Sequence, residues 1–221
     1  PKNLPDPDKL EKYLKKPICS TPDPFGTEES YAGHFEKEIE DIIPKLDIKP
    51  EFLYQSKKYK NSEYADYIKT AMQKTDTIKK ILNKYRKEPL SNTWVPISIF
   101  CGECLSNDVE IFDYNNEYKA KYKCRECGFE KEADFNESEE VKLLWRVDWP
   151  MRWAHEQVDF EPGGKDHSTV GGSYSTAKDI VKLFNWEAPS YEKYDFVSIK
   201  GLGGKISSSL GNVITVRDCL E

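Results

Sequence analysis

The sequence predicts an α/β fold that is interrupted by a small cysteine-bearing module. Three observations support this fold class: apolar residues at helical spacing in the first 90 positions, two Cys-x-x-Cys pairs in the middle of the chain, and alternating strand and helix patterns after Val141. Strands that alternate with helices are typical of one open sheet covered by helices.

The part of the chain before residue 96 is predicted to be mostly helical. Apolar residues recur at helical spacing from Glu28 to Ile43 and again from Tyr64 to Tyr85, which predicts two amphipathic helices. The segment from Asp23 to Gly26 predicts a turn, and the segment from Glu51 to Gln55 predicts a short strand. The apolar, β-branched run from Val95 to Phe100 predicts a further strand.

From Val141 onwards the pattern reads strand, helix, strand, helix, strand. The segment from Val158 to Phe160 predicts a strand that leads into a glycine turn at Gly163-Gly164. The segment from Ser175 to Phe184 predicts a helix, and the segment from Tyr194 to Ile199 predicts a final strand.

These patterns divide the chain into three parts. Residues 1–95 form a helical, connective part that includes the start of an insertion, residues 96–137 form the insertion itself, and residues 138–221 form the second half of the sheet. Within the insertion, aromatic strand-like segments flank a predicted turn at Asn115-Asn116.

The composition fits a chain that works in water, with 33% charged and 38% hydrophobic residues. No apolar run approaches the roughly 20 residues that cross a bilayer, and the polar, proline-rich start carries no secretory signal. We therefore expect a cytoplasmic location and no membrane partner. Because the chain opens at Pro1, we expect it to be a piece of a longer polypeptide.

Positive charge is concentrated between Ser56 and Glu88. This stretch holds ten Lys/Arg and four Asp/Glu, a charge of +6, which leaves −12 for the remainder because the whole chain carries −6. A local basic face can contact nucleic acid within an acidic protein. The alternative is an ordinary solvated helix face.

Four of the six cysteines form two Cys-x-x-Cys pairs that are separated by 19 residues. The four are Cys101, Cys104, Cys124 and Cys127. This spacing is typical of a zinc ribbon, in which two tight turns close four thiolates around one structural Zn²⁺ ion and leave no open position for water. The alternatives are four unrelated buried thiols or two disulfides. Cys19 and Cys219 are interpreted as small hydrophobic residues.

Aromatic and charged residues alternate in the block from Trp145 to Trp153, which holds three tryptophans. A bare tryptophan cluster usually packs in a core. Here Arg146, Asp148 and Arg152 lie among the rings, and charges beside aromatic rings at the end of a strand favour a pocket for a polar ligand.

Two glycine-bearing segments further along predict contacts with phosphate and ribose. The segment from Gly163 to His167 follows a predicted strand, carries Asp166 and precedes a helix, which suits a nucleotide. His167 could equally be a structural histidine. The segment from Gly203 to Ser209 offers one lysine and several hydroxyls between glycines, a pattern that suits a polyphosphate but that also occurs in solvated connections.

Taken together, these motifs resemble class I lysyl-tRNA synthetases, the form found in archaea and some bacteria. The matching motifs run in the same order through nearly the whole chain, at Pro22 to Gly26, Ser30 to His34, Trp145 to Pro150, Gly164 to His167, Gly171 to Tyr174, and Lys205 to Ser209 followed by Gly211-Asn212. The resemblance implies an incomplete Rossmann-like catalytic domain, containing the second half of the nucleotide-binding sheet, with a zinc-ribbon insertion.

The resemblance also implies which residues bind the amino acid. Trp145, His167 and Tyr194 correspond to side chains around the lysine substrate, and aromatic walls suit its four-carbon stem and ammonium group. Asp148 is an additional candidate for pairing with that ammonium group. ATP is implied to lie against Gly164 and Asp166, with Mg²⁺ as its companion ion.

The loop near the end of the chain is implied to act during the reaction. Lys205, Ser207, Ser208 and Ser209 correspond to the Lys-Met-Ser-Lys-Ser loop, with Lys205 also counted among the ATP-binding residues. The implied chemistry is attack of the lysine carboxylate on the α-phosphate of ATP, followed by transfer of lysine from lysyl-adenylate to tRNA(Lys). Such catalysis depends on positioning and charge stabilisation, so no nucleophilic side chain is expected.

The sequence departs from the family pattern in three ways. The first signature, of the His-Ile-Gly-His type, is absent and is expected to lie upstream of Pro1. Ser208 stands where the general motif has a second lysine, and Leu210 stands where this family commonly has lysine. We therefore expect the chain by itself to be inactive.

Two other function classes remain open at this point. One is a zinc-containing adapter that binds tRNA through the insertion and the basic stretch, with a vestigial synthetase site. The other is a zinc-stabilised scaffold without a ligand, which the charges within the tryptophan block argue against. The sequence leaves the oligomeric state open.

Overall fold

The computed structural model describes residues 4–137 and 141–196, together with residues 198, 206, 214, 215, 217, 218 and 220. The helices of this described part are α1 (Pro7–Glu11), α2 (Tyr31–Ile42), α3 (Gln55–Lys60), α4 (Ala65–Gln73), α5 (Thr75–Asn83), α6 (Trp145–His155) and α7 (Ser173–Ile180). Single 3-10 turns cover Ile18–Ser20, Ile43–Leu46 and Val181–Phe184. The strands are β1 (Ile97–Ile99), β2 (Val109–Tyr114), β3 (Lys119–Cys124), β4 (Glu130–Asp134), β5 (Val141–Leu143), β6 (Phe160–Gly164) and β7 (Ser190–Tyr194).

Helix α2 confirms the helix that was predicted between Glu28 and Ile43. It begins where the Ser30 hydroxyl accepts a hydrogen bond of 3.0 Å from the Gly33 N–H, which satisfies one of the free donors of the first turn. The predicted turn before it is also confirmed, because the Gly26 N–H donates to the Asp23 carbonyl at 3.3 Å.

The single helix predicted from Tyr64 to Tyr85 is wrong in one respect, because it is broken into α4 and α5 at Lys74. Lys74 leaves helical geometry there, with φ of −100° and ψ of 13°, and its N–H and the Thr75 hydroxyl both donate to the Met72 carbonyl. Periodicity does not register such a break, since both helices keep the same buried face.

The short strand predicted from Glu51 to Gln55 is also wrong. This segment is irregular up to Tyr54, and α3 begins at Gln55. The Tyr54 hydroxyl donates to the Glu40 carboxylate of α2, so a side-chain contact positions the segment instead of pairing with a neighbouring strand.

The cysteine-bearing segment is inserted between two strands that pair with each other. Strands β1 and β5 are antiparallel, with Ile97 opposite Leu143, and β1 confirms the strand predicted between Val95 and Phe100. Between them in sequence, β2, β3 and β4 form an antiparallel sheet in that order. The chain therefore leaves and re-enters the rest of the fold at one place.

The tip of this sheet rests on helix α4. Asn116, in the predicted turn, has a positive φ of 63° and its carbonyl accepts a hydrogen bond from Gln73 at 2.8 Å. Lys69 lies 2.5 Å from the Glu117 carboxylate, and the Tyr118 hydroxyl donates to Asp66. These polar contacts fix the sheet against the helices.

The last part of the described chain is a β-α-β unit. Strands β6 and β7 pair in parallel, with α7 in the connection between them, as expected for strands joined by a crossover. The predicted strand, helix, strand, helix, strand order is therefore confirmed from β5 to β7, but the predicted bounds of the middle strand are wrong. Strand β6 begins at Phe160 and includes Gly163 and Gly164, which were predicted to form the turn after it, because both glycines pair with β7. The final strand ends at Tyr194 instead of beginning there, because Asp195 accepts the Phe196 N–H at 2.6 Å and withdraws it from the ladder.

One hydrophobic core joins these elements. It is formed by the buried faces of α4, α5, α6 and α7, by β1 and β5, and by the inner face of β3. The described part of the chain is thus a mixed α/β fold, as predicted. Among its helices, none has the length and apolar character that crossing a membrane requires.

Candidate functional site

Three tryptophans form a continuous stripe along helix α6. Trp145, Trp149 and Trp153 are spaced four residues apart, which places them on one face of the helix. The rings of Trp145 and Trp149 are stacked, with centroids 5.4 Å apart and planes 11° apart, and Trp149 contacts Trp153 at 4.9 Å. Exposure falls from 48% at Trp145 to 6% and 1% at the other two, so the stripe leads from the surface into the core.

A carboxylate on the neighbouring strand β6 holds the two inner tryptophans. One oxygen of Glu161 accepts the indole N–H of Trp149 at 3.2 Å, and the other accepts the indole N–H of Trp153 at 3.0 Å. Both indole donors are therefore satisfied away from water. We refer to Trp145, Trp149 and Trp153 as the tryptophan stripe.

His167 lies against the exposed end of the tryptophan stripe. Its ring centroid is 6.0 Å from that of Trp145 and 5.8 Å from that of Trp149. Its backbone N–H donates to the Gly164 carbonyl at 3.0 Å, and its carbonyl accepts the Tyr174 N–H at 3.1 Å. The turn after β6 thus directs this histidine onto the tryptophans.

Asp148 is held by two side chains beside the tryptophan stripe. One oxygen accepts a hydrogen bond from the Tyr59 hydroxyl, and the other accepts from Arg152 Nε at 2.9 Å. The Tyr59 oxygen in turn accepts the Leu143 N–H at 3.2 Å. Burial, reinforced by the charge of Asp148, raises the pKa of Tyr59 well above its ordinary value, so this phenol stays a donor.

Arg152 links this carboxylate to the exposed tryptophan. Its guanidinium carbon lies 5.9 Å from the centroid of the Trp145 ring, within the range of cation–π attraction. Asp148 therefore fixes the arginine, and the arginine covers part of one face of Trp145. Both oxygens of the carboxylate keep a second lone pair.

The ends of β6 and β7 meet beside His167. Gly164 and Tyr194 are register partners at the carboxyl ends of these parallel strands, and the Lys165 N–H donates to the Tyr194 carbonyl at 3.0 Å. Tyr194 is 57% exposed and Asp166 is exposed as well. In open α/β sheets ligands bind at this edge, outside the carboxyl ends of the strands.

Close packing around β6 requires glycine. A Cβ atom at Gly163 would lie 1.9 Å from the hydroxyl of Tyr191, and a Cβ atom at Gly164 would lie 2.7 Å from a carboxylate oxygen of Asp166. The Tyr191 hydroxyl also lies 2.7 Å from the hydroxyl of Ser168, which donates to the Gly164 carbonyl at 2.8 Å. The absence of a side chain at these two glycines thus allows Tyr191 and Asp166 to pack against the strand.

The structure brings several of the predicted site residues together. Trp145 and His167 are in ring contact, Asp148 lies on the same helix as Trp145, and Gly164, Asp166 and Tyr194 lie at the adjacent strand ends. Lys205, Ser207, Ser208 and Ser209 lie outside the described residues.

Tyr59 and Glu161 also contribute to this site, and neither was predicted from the sequence. The sequence does predict that such an acceptor is needed. Tryptophans at intervals of four lie on one helical face, and their indole N–H groups need a buried acceptor, which Glu161 supplies. Tyr59 lies 89 residues from Asp148, and no local pattern connects them.

The four paired cysteines form a second cluster. Their Sγ atoms all lie within 4.8 Å of one another, and Cys101–Cys127 and Cys104–Cys124 are each 3.6 Å apart. A tetrahedral ion with metal–sulfur bonds of about 2.3 Å requires sulfur atoms about 3.8 Å apart. The cluster therefore has the donor set and the dimensions of a four-thiolate metal site.

The two Cys-x-x-Cys turns have the same backbone geometry. Cys101 N–H donates to Ser106 and Cys124 N–H donates to Phe129, each to the carbonyl five residues later and each at 2.8 Å. The residue after each pair, Leu105 or Gly128, donates back to the first cysteine and has a positive φ, of 63° and 79°. Two matching turns thus present their thiols to a common centre.

Backbone N–H groups in these turns favour a thiolate at the second pair. Burial alone would raise the pKa of Cys124, but N–H groups of Cys127 and Glu126 outweigh it and lower the pKa to about 7. Burial raises the pKa of Cys104 to about 12 in the absence of an ion. A bound cation would be needed to hold all four groups as thiolates.

Comparison with known proteins gives a consistent result. The family model described as "tRNA synthetases class I (K)" matches residues 1–221. Proteins named lysine–tRNA ligase are similar to the whole chain: 49% identical over 221 residues in Borrelia garinii subsp. bavariensis, 50% over 226 in Thermococcus kodakarensis and 46% over 224 in Treponema pallidum. The chain spans 42% of the length of each of these relatives. It belongs to the class I (K) family of tRNA synthetases.

Proposed function

We propose that this chain is part of a lysine–tRNA ligase, which activates lysine with ATP to lysyl-adenylate and transfers it to tRNA(Lys). The observation that supports this most directly is the ring contact between Trp145 and His167, because His167 lies in the turn that follows β6. Residues expected to bind lysine thereby adjoin residues expected to bind ATP. The two substrates must meet there for the lysine carboxylate to attack the α-phosphate.

In this proposal, an exposed aromatic surface binds the amino acid. Trp145, His167 and Tyr194 would contact the apolar stem of lysine, and the tryptophan face would attract its ammonium group. Asp148 would supply a negative charge through the lone pairs that Tyr59 and Arg152 leave free.

ATP would bind at the carboxyl ends of β6 and β7. Gly164 lies at the end of β6 beside this site, and Asp166, exposed in the turn that follows, would accept hydrogen bonds from ribose. Lys205 would neutralise the leaving pyrophosphate, assisted by the hydroxyls of Ser207, Ser208 and Ser209 and by Mg²⁺ bound to the phosphates. No side chain is proposed as a nucleophile.

The cysteine cluster is proposed to hold one structural Zn²⁺ ion. Residues 96–137 would then be a zinc ribbon inserted into a Rossmann-like domain, of which residues 138–221 would supply the second half of the sheet and residues 1–95 the helical connection. Zn²⁺ readily binds cysteine thiolates, and a site with four thiolate ligands leaves no coordination position for a reacting water. Free thiols also suit the reducing cytoplasm.

The adapter alternative depends on the basic stretch from Ser56 to Glu88. Three of its lysines form ion pairs with acidic residues elsewhere, namely Lys58 with Glu156, Lys69 with Glu117 and Lys84 with Asp179. These pairs reduce the positive charge that the stretch offers to RNA, and they favour the enzyme over the adapter.

The decisive experiment is lysine-dependent exchange of pyrophosphate into ATP by the complete polypeptide that carries this chain. We expect exchange with lysine, and loss of at least 30-fold in Lys205→Ala, about 2 kcal/mol of lost charge stabilisation. Absence of exchange together with salt-sensitive tRNA binding would support the adapter instead.

A further inference from the structure

The Glu161 carboxylate bridges two elements of the fold. It extends from strand β6 to helix α6, where its two oxygens accept one indole N–H each, from Trp149 at 3.2 Å and from Trp153 at 3.0 Å. Each indole has one donor and no acceptor, and the two indoles here use two separate acceptor atoms. A carboxylate supplies both acceptor atoms. Neither ring can rotate out of its orientation without losing its hydrogen bond.

This orientation extends to the surface through Trp149. Its ring is stacked on that of Trp145 at 5.4 Å and 11°, and it also contacts His167 at 5.8 Å and Trp153 at 4.9 Å. If the Trp149 ring rotated, the flat stack with Trp145 would be lost. The hydrogen bond from Trp149 to Glu161 therefore sets the plane of Trp145, an exposed tryptophan that Glu161 does not touch.

We propose that Glu161 is a positioning residue that sets the aromatic wall for the amino-acid substrate. This inference rests on the proposed function, in which Trp145 and His167 contact lysine. Glu161 acts through Trp149, and it has no contact with the reacting atoms. Its effect is thus confined to the amino-acid side of the reaction and leaves the ATP side unchanged.

Glu161→Gln provides a nearly isosteric test. Glutamine keeps one acceptor oxygen, but its amide group would face the second indole N–H, donor against donor. Glu192→Gln is the matched control, because Glu192 lies on the paired strand β7 and is exposed. Both variants remove one charge from the same small sheet.

Steady-state exchange assays of the complete polypeptide supply the first readout. We expect Glu161→Gln to raise the KM for lysine about 10-fold, the effect of one hydrogen bond to a charged group, with the KM for ATP changed less than 2-fold. Glu192→Gln is expected to change neither. Near-ultraviolet circular dichroism supplies the second readout, and the tryptophan bands should weaken in Glu161→Gln alone.

Two tryptophan variants keep the proposal testable if Glu161→Gln does not fold. Trp149→Phe and Trp153→Phe each remove one N–H donor from a buried ring. Because only Trp149 stacks on Trp145, Trp149→Phe should raise the KM for lysine several-fold more than Trp153→Phe does. Equal effects of the two variants would overturn the proposal.

Other outcomes separate this proposal from the proposed function. A Glu161→Gln protein with weakened tryptophan bands and an unchanged KM for lysine would overturn the positioning role, while lysine-dependent exchange still stands. Equal increases in the KM for lysine and for ATP would also overturn it. If the unmodified protein shows no exchange with lysine, the proposed function fails. In that case, unchanged tryptophan bands in Glu161→Gln would separately contradict the role of Glu161 in orienting the tryptophans.

Discussion

Tyr194 lies directly opposite Gly164 in the register of the parallel strands β6 and β7. Both residues occupy the last position of their strand, so an exposed tyrosine ring stands beside a glycine that carries no side chain. The pair therefore places an exposed aromatic ring at the same sheet edge as the turn that carries Asp166 and His167. In the proposed function, lysine and ATP would meet at this edge.

Replacing Trp145 by alanine should weaken lysine binding with little effect on folding. The ring is half-exposed, so its removal should cost only about 1 kcal/mol of unfolding free energy, mainly from the stack on Trp149. Loss of the aromatic face should raise the KM for lysine about 5- to 30-fold. Exchange assays and urea unfolding measure the two effects.

Phe112→Ala is the matched control for this prediction, because Phe112 is 50% exposed on strand β2 of the insertion. It should leave the KM for lysine unchanged. An equal change of the KM in both variants would show that Trp145 acts through general stability and would remove it from the binding surface.

Removal of one clustered thiol should abolish metal binding and loosen the insertion. Cys127→Ser is predicted to reduce zinc content from one ion per chain to well below one, because serine is a poor ligand for zinc. The inserted sheet has little core of its own, so the free energy of unfolding should fall by about 3 kcal/mol or more. Metal analysis and thermal unfolding test this.

Cys19→Ser provides the comparison, since Cys19 lies outside the cluster and is only partly exposed. It should retain full zinc content. A zinc content near zero in the unmodified protein would contradict the proposed metal site at once.

Some parts of this structure follow from sequence because they depend on local patterns. The Cys-x-x-Cys spacing predicts four converging thiols, since each turn is closed by its own hydrogen bonds around Cys101 or Cys124. The alternation of strands and helices after Val141 likewise predicts the β-α-β unit that brings Gly164 and Tyr194 together.

Other parts depend on contacts between distant segments. The hydrogen bond from Tyr59 to Asp148 joins residues 89 positions apart, and the hydrogen bond from Lys69 to Glu117 joins residues 48 positions apart. The break at Lys74 falls between residues whose types fit a continuous helix equally well. Periodicity reports which face is buried and carries no information about these bonds.

Replacing Tyr59 by phenylalanine should destabilise the protein, although the ring remains. The hydroxyl donates to Asp148 and accepts the Leu143 N–H, so its removal leaves one buried acceptor and one buried donor without this partner. We expect a loss of about 1–3 kcal/mol in the free energy of unfolding, measured by urea denaturation. Tyr13→Phe, on a surface ring covered by lysine side chains, should change it by less than about 0.5 kcal/mol. Equal effects of the two variants would contradict the role of the buried hydroxyl.

The turn that contains Asp23 should make stability depend on pH in the acid range. The side chain of Asp23 is fully buried, and its oxygens accept hydrogen bonds from the N–H groups of Phe25, Thr27 and Glu28 at 2.8–2.9 Å. Burial alone would raise its pKa, but these bonds outweigh it and hold the pKa far below the ordinary value.

A pKa that is depressed in the folded protein has a defined consequence for stability. In the unfolded chain, the carboxyl group of Asp23 has an ordinary pKa near 3.9. The stabilisation by Asp23 is therefore fully present above about pH 5 and is lost as the pH falls towards the folded-state pKa. Asp23→Asn cannot ionise and should lack this contribution. The difference in unfolding free energy between the two proteins should therefore be largest near pH 7 and should shrink steadily below pH 4.

Urea unfolding between pH 3 and pH 7 measures this difference directly. Acid also protonates the clustered thiols, but both proteins share that loss, so subtraction isolates Asp23. Asp8→Asn, at an exposed position of α1, is the control for the loss of one negative charge. A gap between the unmodified protein and Asp23→Asn that stayed constant from pH 7 to pH 3 would mean that the hydrogen bonds in this turn do not favour the ionised carboxylate.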